Sequence, residues 1–146
     1  MIKGRNTVLL YCLLCCMAIR AQEVPLRQLT VEDGLANSVV YRIMQDSSGY
    51  MWFCTDYGLS RYDGYEFLNF NAANALASNY VMSVEEDDDS NKWMSCFSGG
   101  ISRLDVSMKI SKVTLKGISG DPIHMAYTKG KVWSLSSRNE LGYIDS

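Results

Sequence analysis

The chain of 146 residues is 47% hydrophobic and 21% charged, the balance of one globular domain with a modest core, which excludes a disordered polypeptide. Its formal charge of -2, with no basic stripe and no base-stacking motif, speaks against a nucleic-acid partner.

Residues 1–21, MIKGRNTVLLYCLLCCMAIRA, place Lys3 and Arg5 ahead of an apolar run from Val8 to Ile19 and a small residue at Ala21. That is the layout of a signal peptide, with an apolar stretch too short for a comfortable membrane span. The chain is expected to be exported and, after cleavage, to carry no direct membrane span. An uncleaved anchor and a lipoprotein signal modified at Cys16 are the competing readings; the second lacks the small residue usually found just before such a cysteine. Cleavage takes away three cations and no acid, moving the formal charge to about -5. It also leaves only Cys54 and Cys96. Export would permit a bridge, but the two lie on corresponding strands of successive repeats, where packing as small apolar residues is the expectation.

Residues 22–34 form an N-terminal strand segment in this reading. Within it EVPLRQLT, 23–30, has no evident later counterpart and is expected to close a ring by pairing with its last blade. The next stretch, 35–75, is read as a first blade. Its VVYRIMQD alternates Val39, Tyr41 and Ile43 against Val40, Arg42 and Met44, the period of a strand with one face toward a core. SSG at 47–49 is turn chemistry, a second strand carries Trp52, a third runs LSRYD, and after Gly64 a fourth runs YEFLNF.

Residues 76–116 repeat this order as a second blade: YVMSVEED, the turn DSN at 89–91, a strand with Trp93 and a strand ISRLD. Trp52 and Trp93 are 41 residues apart. A partial third blade, 117–146, places Trp133 and Asp145 40 residues after Trp93 and Asp105, although Glu140 and Tyr143 replace the glycine and arginine of the earlier copies. Four short strands in about 40 residues predict an all-β fold, a β-propeller of four-stranded antiparallel blades. Closed rings need about four to eight blades. Some three are present, so the ring is expected to be incomplete, with further blades outside these residues.

The recurring residues have structural readings. Trp52, Trp93 and Trp133 are expected to fill the space between blades. Asp63, Asp105 and Asp145 end the third strand, where a carboxylate accepts from turn amides. Ser60, Ser102 and Gly142 suggest small residues alternating with bulky ones in a tapering blade.

With these residues placed, the chain resembles the two-component regulator propeller repeat. The first copy carries its pattern at Asp46, Gly49, Trp52, Thr55, Gly58, Leu59, Arg61, Tyr62, Asp63 and Gly64. The second keeps Asp87, Trp93, Gly100, Ile101, Arg103 and Asp105, with Ser90 for the glycine and Cys96 for the threonine. The resemblance implies the N-terminal part of a periplasmic sensor propeller, followed in a longer parent chain by further blades, a β-sandwich module, a membrane span and a histidine kinase. It also implies an oligosaccharide ligand released from glycans. A lectin-like or scaffolding propeller without signalling output is the alternative.

Chemical readings are weaker. Asp87, Asp89 and Asn91 have the opening spacing of a calcium loop, but Lys92 stands where glycine is needed and no glutamate follows at the twelfth position. Propeller glycosidases use paired carboxylates, yet the candidates here recur as turn residues. His124 lacks partners for catalysis or metal binding. No catalytic residue, metal ligand or cofactor is assigned, and the ligand-binding residues stay unknown. Tyr50, Tyr57 and Tyr65 beside turns are candidates for stacking on a sugar. Short, similar loops predict little room for a pocket, so sugar capture is expected to need the parent chain.

Overall fold

A computed structural model describes residues 26–114 and 117–145. The signal-peptide reading of residues 1–21 lies outside the described residues.

Three antiparallel sheets follow one another along the chain. The first joins β1 (Val40–Gln45), β2 (Met51–Thr55), β3 (Gly58–Tyr62) and β4 (Phe67–Phe70) in chain order. The second repeats it with β5 (Val81–Glu86), β6 (Lys92–Cys96), β7 (Gly100–Leu104) and β8 (Ile110–Val113). The third pairs β9 (Pro122–Thr128), β10 (Lys131–Ser136) and β11 (Leu141–Asp145). These are propeller blades, and among the described residues they do not close a ring. The close approaches between blades run β1 to β5, β2 to β5, β5 to β9 and β6 to β9, so the blades converge on their first strands.

Each first strand departs from strict alternation at one point. The pairing register slips between Val40 and Arg42, between Val81 and Ser83, and between the partners of Pro122 and His124. The unpaired residues are Tyr41, Met82 and Ile123, spaced 41 apart. A bulge of this kind turns the following side chains to the other face. Val40 therefore packs with Leu35 and Phe53, whereas Met44 packs on the opposite side with Trp52.

Two interfaces hold the blades together. Trp52, Cys54, Leu59 and Phe70 of the first blade meet Leu76, Val84, Met94 and Leu104 of the second. Trp93 and Ile101 of the second meet Met125 and Val132 of the third. The outer faces are bare by comparison. Ile43 is 55% exposed where its counterpart Val84 is fully buried, and Tyr143 is 51% exposed on the far side of the third blade. Val39, Tyr41 and Ile43 are all exposed, and for Ile43 the reason is that no preceding blade lies against it among the described residues.

Residues 26–30, expected to be a strand paired with a last blade, are in no strand among the described residues, where that blade is not present, and a 3-10 turn, Val31–Asp33, follows them within the segment read at 22–34. Thr30 caps it through a reciprocal pair with Asp33, and Gly34 closes it in the left-handed region at φ 108°. The same device returns as Ala72–Asn74, capped by Asn71 and closed by Ala75 at φ 74°. The repeat thus begins at Thr30, ahead of the blade boundary read at 35, and residues 26–29 stand one period before β4.

After each turn the chain crosses its own blade. The Ala36 amide donates to Ser60 Oγ at 3.0 Å, and the Ala77 amide to Ser102 Oγ at 2.9 Å. At Gly142 a Cβ would sit 2.1 Å from Ile118. The small residues on the third strand let the lead-in segment cross it, which replaces the tapering-blade explanation.

Candidate functional site

The residues that repeat most faithfully are structural. Trp52 and Trp93 are buried, and their indole N–H groups donate to Asp46 Oδ2 at 2.8 Å and Asp87 Oδ2 at 2.7 Å. The other oxygen of each carboxylate accepts amides of the turn: Ser48 and Tyr50 for Asp46, Asp89 and Asn91 for Asp87. One aspartate therefore ties the turn to the interblade tryptophan. Burial raises the Asp87 pKa, but the bonds from Trp93 and Asn91 outweigh it and leave the carboxyl below its usual range. Trp133 has Thr128 at the corresponding position and packs instead on Tyr143, ring centres 5.0 Å apart.

The acidic run also serves the blade contact. Lys92, itself buried, reaches Glu86 at 3.0 Å, Asp46 at 3.4 Å and the Ser90 carbonyl at 2.8 Å. Glu86 accepts from the Ser47 amide and hydroxyl of the first blade. The ammonium thus sits between Asp46 and Glu86, while Asp87 of the calcium-loop spacing is taken up by Trp93, Asp89 and Asn91. On the first strands Glu85 pairs with Arg42 of the first blade and accepts from the Tyr127 amide of the third; burial pushes its carboxyl up against those two contacts.

Asp63 accepts the amides of Glu66 and Tyr65, and Asp105 accepts from Ser107 and Lys109. These bonds hold both carboxyls below the usual range, as turn capping requires. Asp145 differs, pairing with Lys131 at 2.6 Å. Cys54 and Cys96 are buried free thiols, both pushed up by burial. His124 is exposed on β9, opposite Leu135.

Of the tyrosine candidates, Tyr50 is packed beneath the Arg61 guanidinium, 4.4 Å from its ring centre. Tyr57 and Tyr65 are exposed. The structure gathers a different set. Tyr41, Ser78, Tyr80, Met82, Phe97 and Ser98 line an open cleft of about 540 Å³ where β1 and β5 begin. Tyr41 and Met82 are the bulged residues of β1 and β5. Tyr80, Phe97 and Ser98 stand where the first copy has Val39, Asp56 and Tyr57, and Phe97–Gly100 is one residue longer than Asp56–Gly58. The cleft lies where the second copy departs from the first, a signal present in the alignment but read as too short to build a pocket.

Residues 34–57 match the family model of the two component regulator propeller. That stretch is similar to a two component regulator propeller repeat. Its fold is shared with the extracellular domain assigned to the hybrid two component system BT3049 of B. thetaiotaomicron, at 21% identity and a TM-score of 0.72 over 82% of this chain and 18% of that one. The extracellular domain assigned to the hybrid system BT4673 of the same organism matches at 19% identity and a TM-score of 0.70, covering 88% of this chain and 18% of its own. Virginiamycin B lyase from Staphylococcus aureus is more distant, at 15% identity and a TM-score of 0.55 over 77% of this chain and 43% of the lyase. No curated protein matches the sequence. The chain thus spans about a fifth of the two extracellular domains it resembles. Among the described residues no helix is long and apolar enough to cross a membrane.

Proposed function

We propose that this chain is the N-terminal part of an exported, periplasmic sensor propeller of a two-component system. In this reading it does no chemistry itself; it helps a longer parent receive a glycan-derived oligosaccharide and bias a kinase. The observation that carries the reading is the propeller repeat on a three-blade stack whose two outer faces stay uncovered, which suits one arc of a larger ring. Residues 26–29 support it further, since they stand one period before β4 and would supply the fourth strand of a blade built elsewhere in the parent. The parent is expected to add further blades and a β-sandwich module.

The reading is tested by sequencing the coding region beyond codon 146 and by assaying the protein it encodes. A membrane span and kinase motifs, with autophosphorylation that responds to an oligosaccharide pool, are the expected result. A ring completed without any span or kinase would overturn it in favour of a lectin-like propeller.

A further inference from the structure

The cleft between the starts of β1 and β5 has features that blade packing leaves unused. Tyr41, Tyr80 and Phe97 are 44%, 51% and 40% exposed, and among the described residues their rings make no ring–ring contact with one another. Elsewhere large aromatics at the blade contacts, such as Trp52 and Phe70, are buried. Three open rings around one concavity leave apolar faces without a partner.

The wall that carries Phe97 is held in place. Its amide donates to the Tyr80 carbonyl at 2.8 Å, and the Ser98 amide donates to Asp121 Oδ1 at 2.8 Å, so the hairpin tip is tied both to β5 and to the third blade. Ser98 adopts the left-handed region at φ 57°, and Gly99 lies so close to Ala77 that a Cβ there would meet its carbonyl at 2.5 Å. A strained backbone held by neighbours on both sides marks a tip shaped for something other than the shortest turn. The bulges act in the same direction, since they put Tyr41 and Met82 into the cleft.

The lining selects the ligand. It holds two phenol hydroxyls and two serine hydroxyls, and no ionisable group that is charged at neutral pH, so a phosphate or an anionic headgroup would find no cation there. Aromatic faces beside hydroxyl donors and acceptors suit a ring with one apolar face and a hydroxyl edge. We infer that this cleft is a subsite for a neutral pyranose unit, formed by Tyr41, Tyr80 and Phe97 with Ser78 and Ser98. The inference rests on the oligosaccharide reading of the parent and adds where and through which residues the sugar is held. Because the cleft is open on one side, the subsite is one wall of a larger site and its own affinity is weak.

The experiment uses the full-length parent, with saturation-transfer NMR and calorimetric titration of cellotriose, xylotriose, maltotriose and mannotriose, beside a sulfated heparin tetrasaccharide. Tyr80→Ala and Phe97→Ala replace exposed side chains, and unchanged near-ultraviolet circular dichroism shows that the fold persists; Tyr80→Phe keeps the ring, and Tyr65→Ala is the control at a distant exposed tyrosine. The expected result is binding of at least one neutral trisaccharide, weakened tenfold or more by either alanine variant, largely kept by Tyr80→Phe and unaffected by Tyr65→Ala. Neutral-sugar binding indifferent to both alanine variants would overturn the subsite while leaving the oligosaccharide reading in place, as would binding confined to the sulfated probe. Failure of every sugar to bind would overturn both.

Discussion

Replacing Lys92 by methionine would test whether the buried charges between the first two blades act as a unit. The Lys92 side chain is 8% exposed, Asp46 3% and Glu86 16%. At 3.0 Å and an effective dielectric of 20 one such pair has a gross attraction of about 5 kcal/mol, most of it offset by desolvation. Removing the cation leaves Asp46 and Glu86 facing each other across the interface without it, and breaking a buried pair on one side costs about 3 to 5 kcal/mol. Asp46 keeps the indole of Trp52 and two turn amides, and Glu86 keeps Ser47, so the lower end, about 3 kcal/mol, is expected. Methionine suits the backbone, because Met51 holds the same place one repeat earlier. Urea unfolding of the parent, followed by tryptophan fluorescence, would measure the loss. Adding Glu86→Gln should restore about 1 to 2 kcal/mol, because it removes one of the two stranded charges. A loss under about 1 kcal/mol for Lys92→Met, at unchanged slope, would refute the idea that this cluster holds the blades together.

Trp52→Ala should cost the parent about 3 to 5 kcal/mol, and a readily quenched, red-shifted Trp52 with unaltered stability would contradict its place in the interface. Asp87 has a lowered folded pKa, so its contribution is complete above the unfolded value near 3.8 and is lost as pH falls below it; the stability gap between wild type and Asp87→Asn should close on acidification, and parallel pH profiles would count against the bond to Trp93. Glu85 is shifted the other way, so its contribution is present below about 4.5 and lost as pH rises through its higher folded value; Glu85→Gln should gain on wild type between pH 4 and pH 7, read from the same unfolding curves. Residues 22–146 made alone should self-associate or fold poorly through the faces of Ile43 and Tyr143, whereas a sharp calorimetric transition from a species sized as a monomer would sink that expectation.

The repeat by itself determined the blade order, the strands of the three sheets and the interface places of Trp52 and Trp93, because each is written into local periodicity and into residues that return about every 41 positions. Even the turn-capping aspartates could be read, since an Asx turn is made within four residues. Asp145 was the exception, drawn to Lys131. What the sequence left unresolved are relations between segments far apart in the chain. Alternation along VVYRIMQD cannot reveal a bulge, and the bulge decides which face Val40 and Met44 take. Nor can it say that Ile43 is exposed while the matching Val84 is buried, because burial depends on whether a blade lies alongside. The purpose of Ser60, Ser102 and Gly142 became visible only with the lead-in segment crossing them. The cleft at Tyr41, Tyr80 and Phe97 joins residues from two blades and a hairpin, each unremarkable in its own repeat. Side chains up to 57 positions apart share a surface there because antiparallel blades bring their strand starts and hairpins to one end, a juxtaposition that only the folded stack creates.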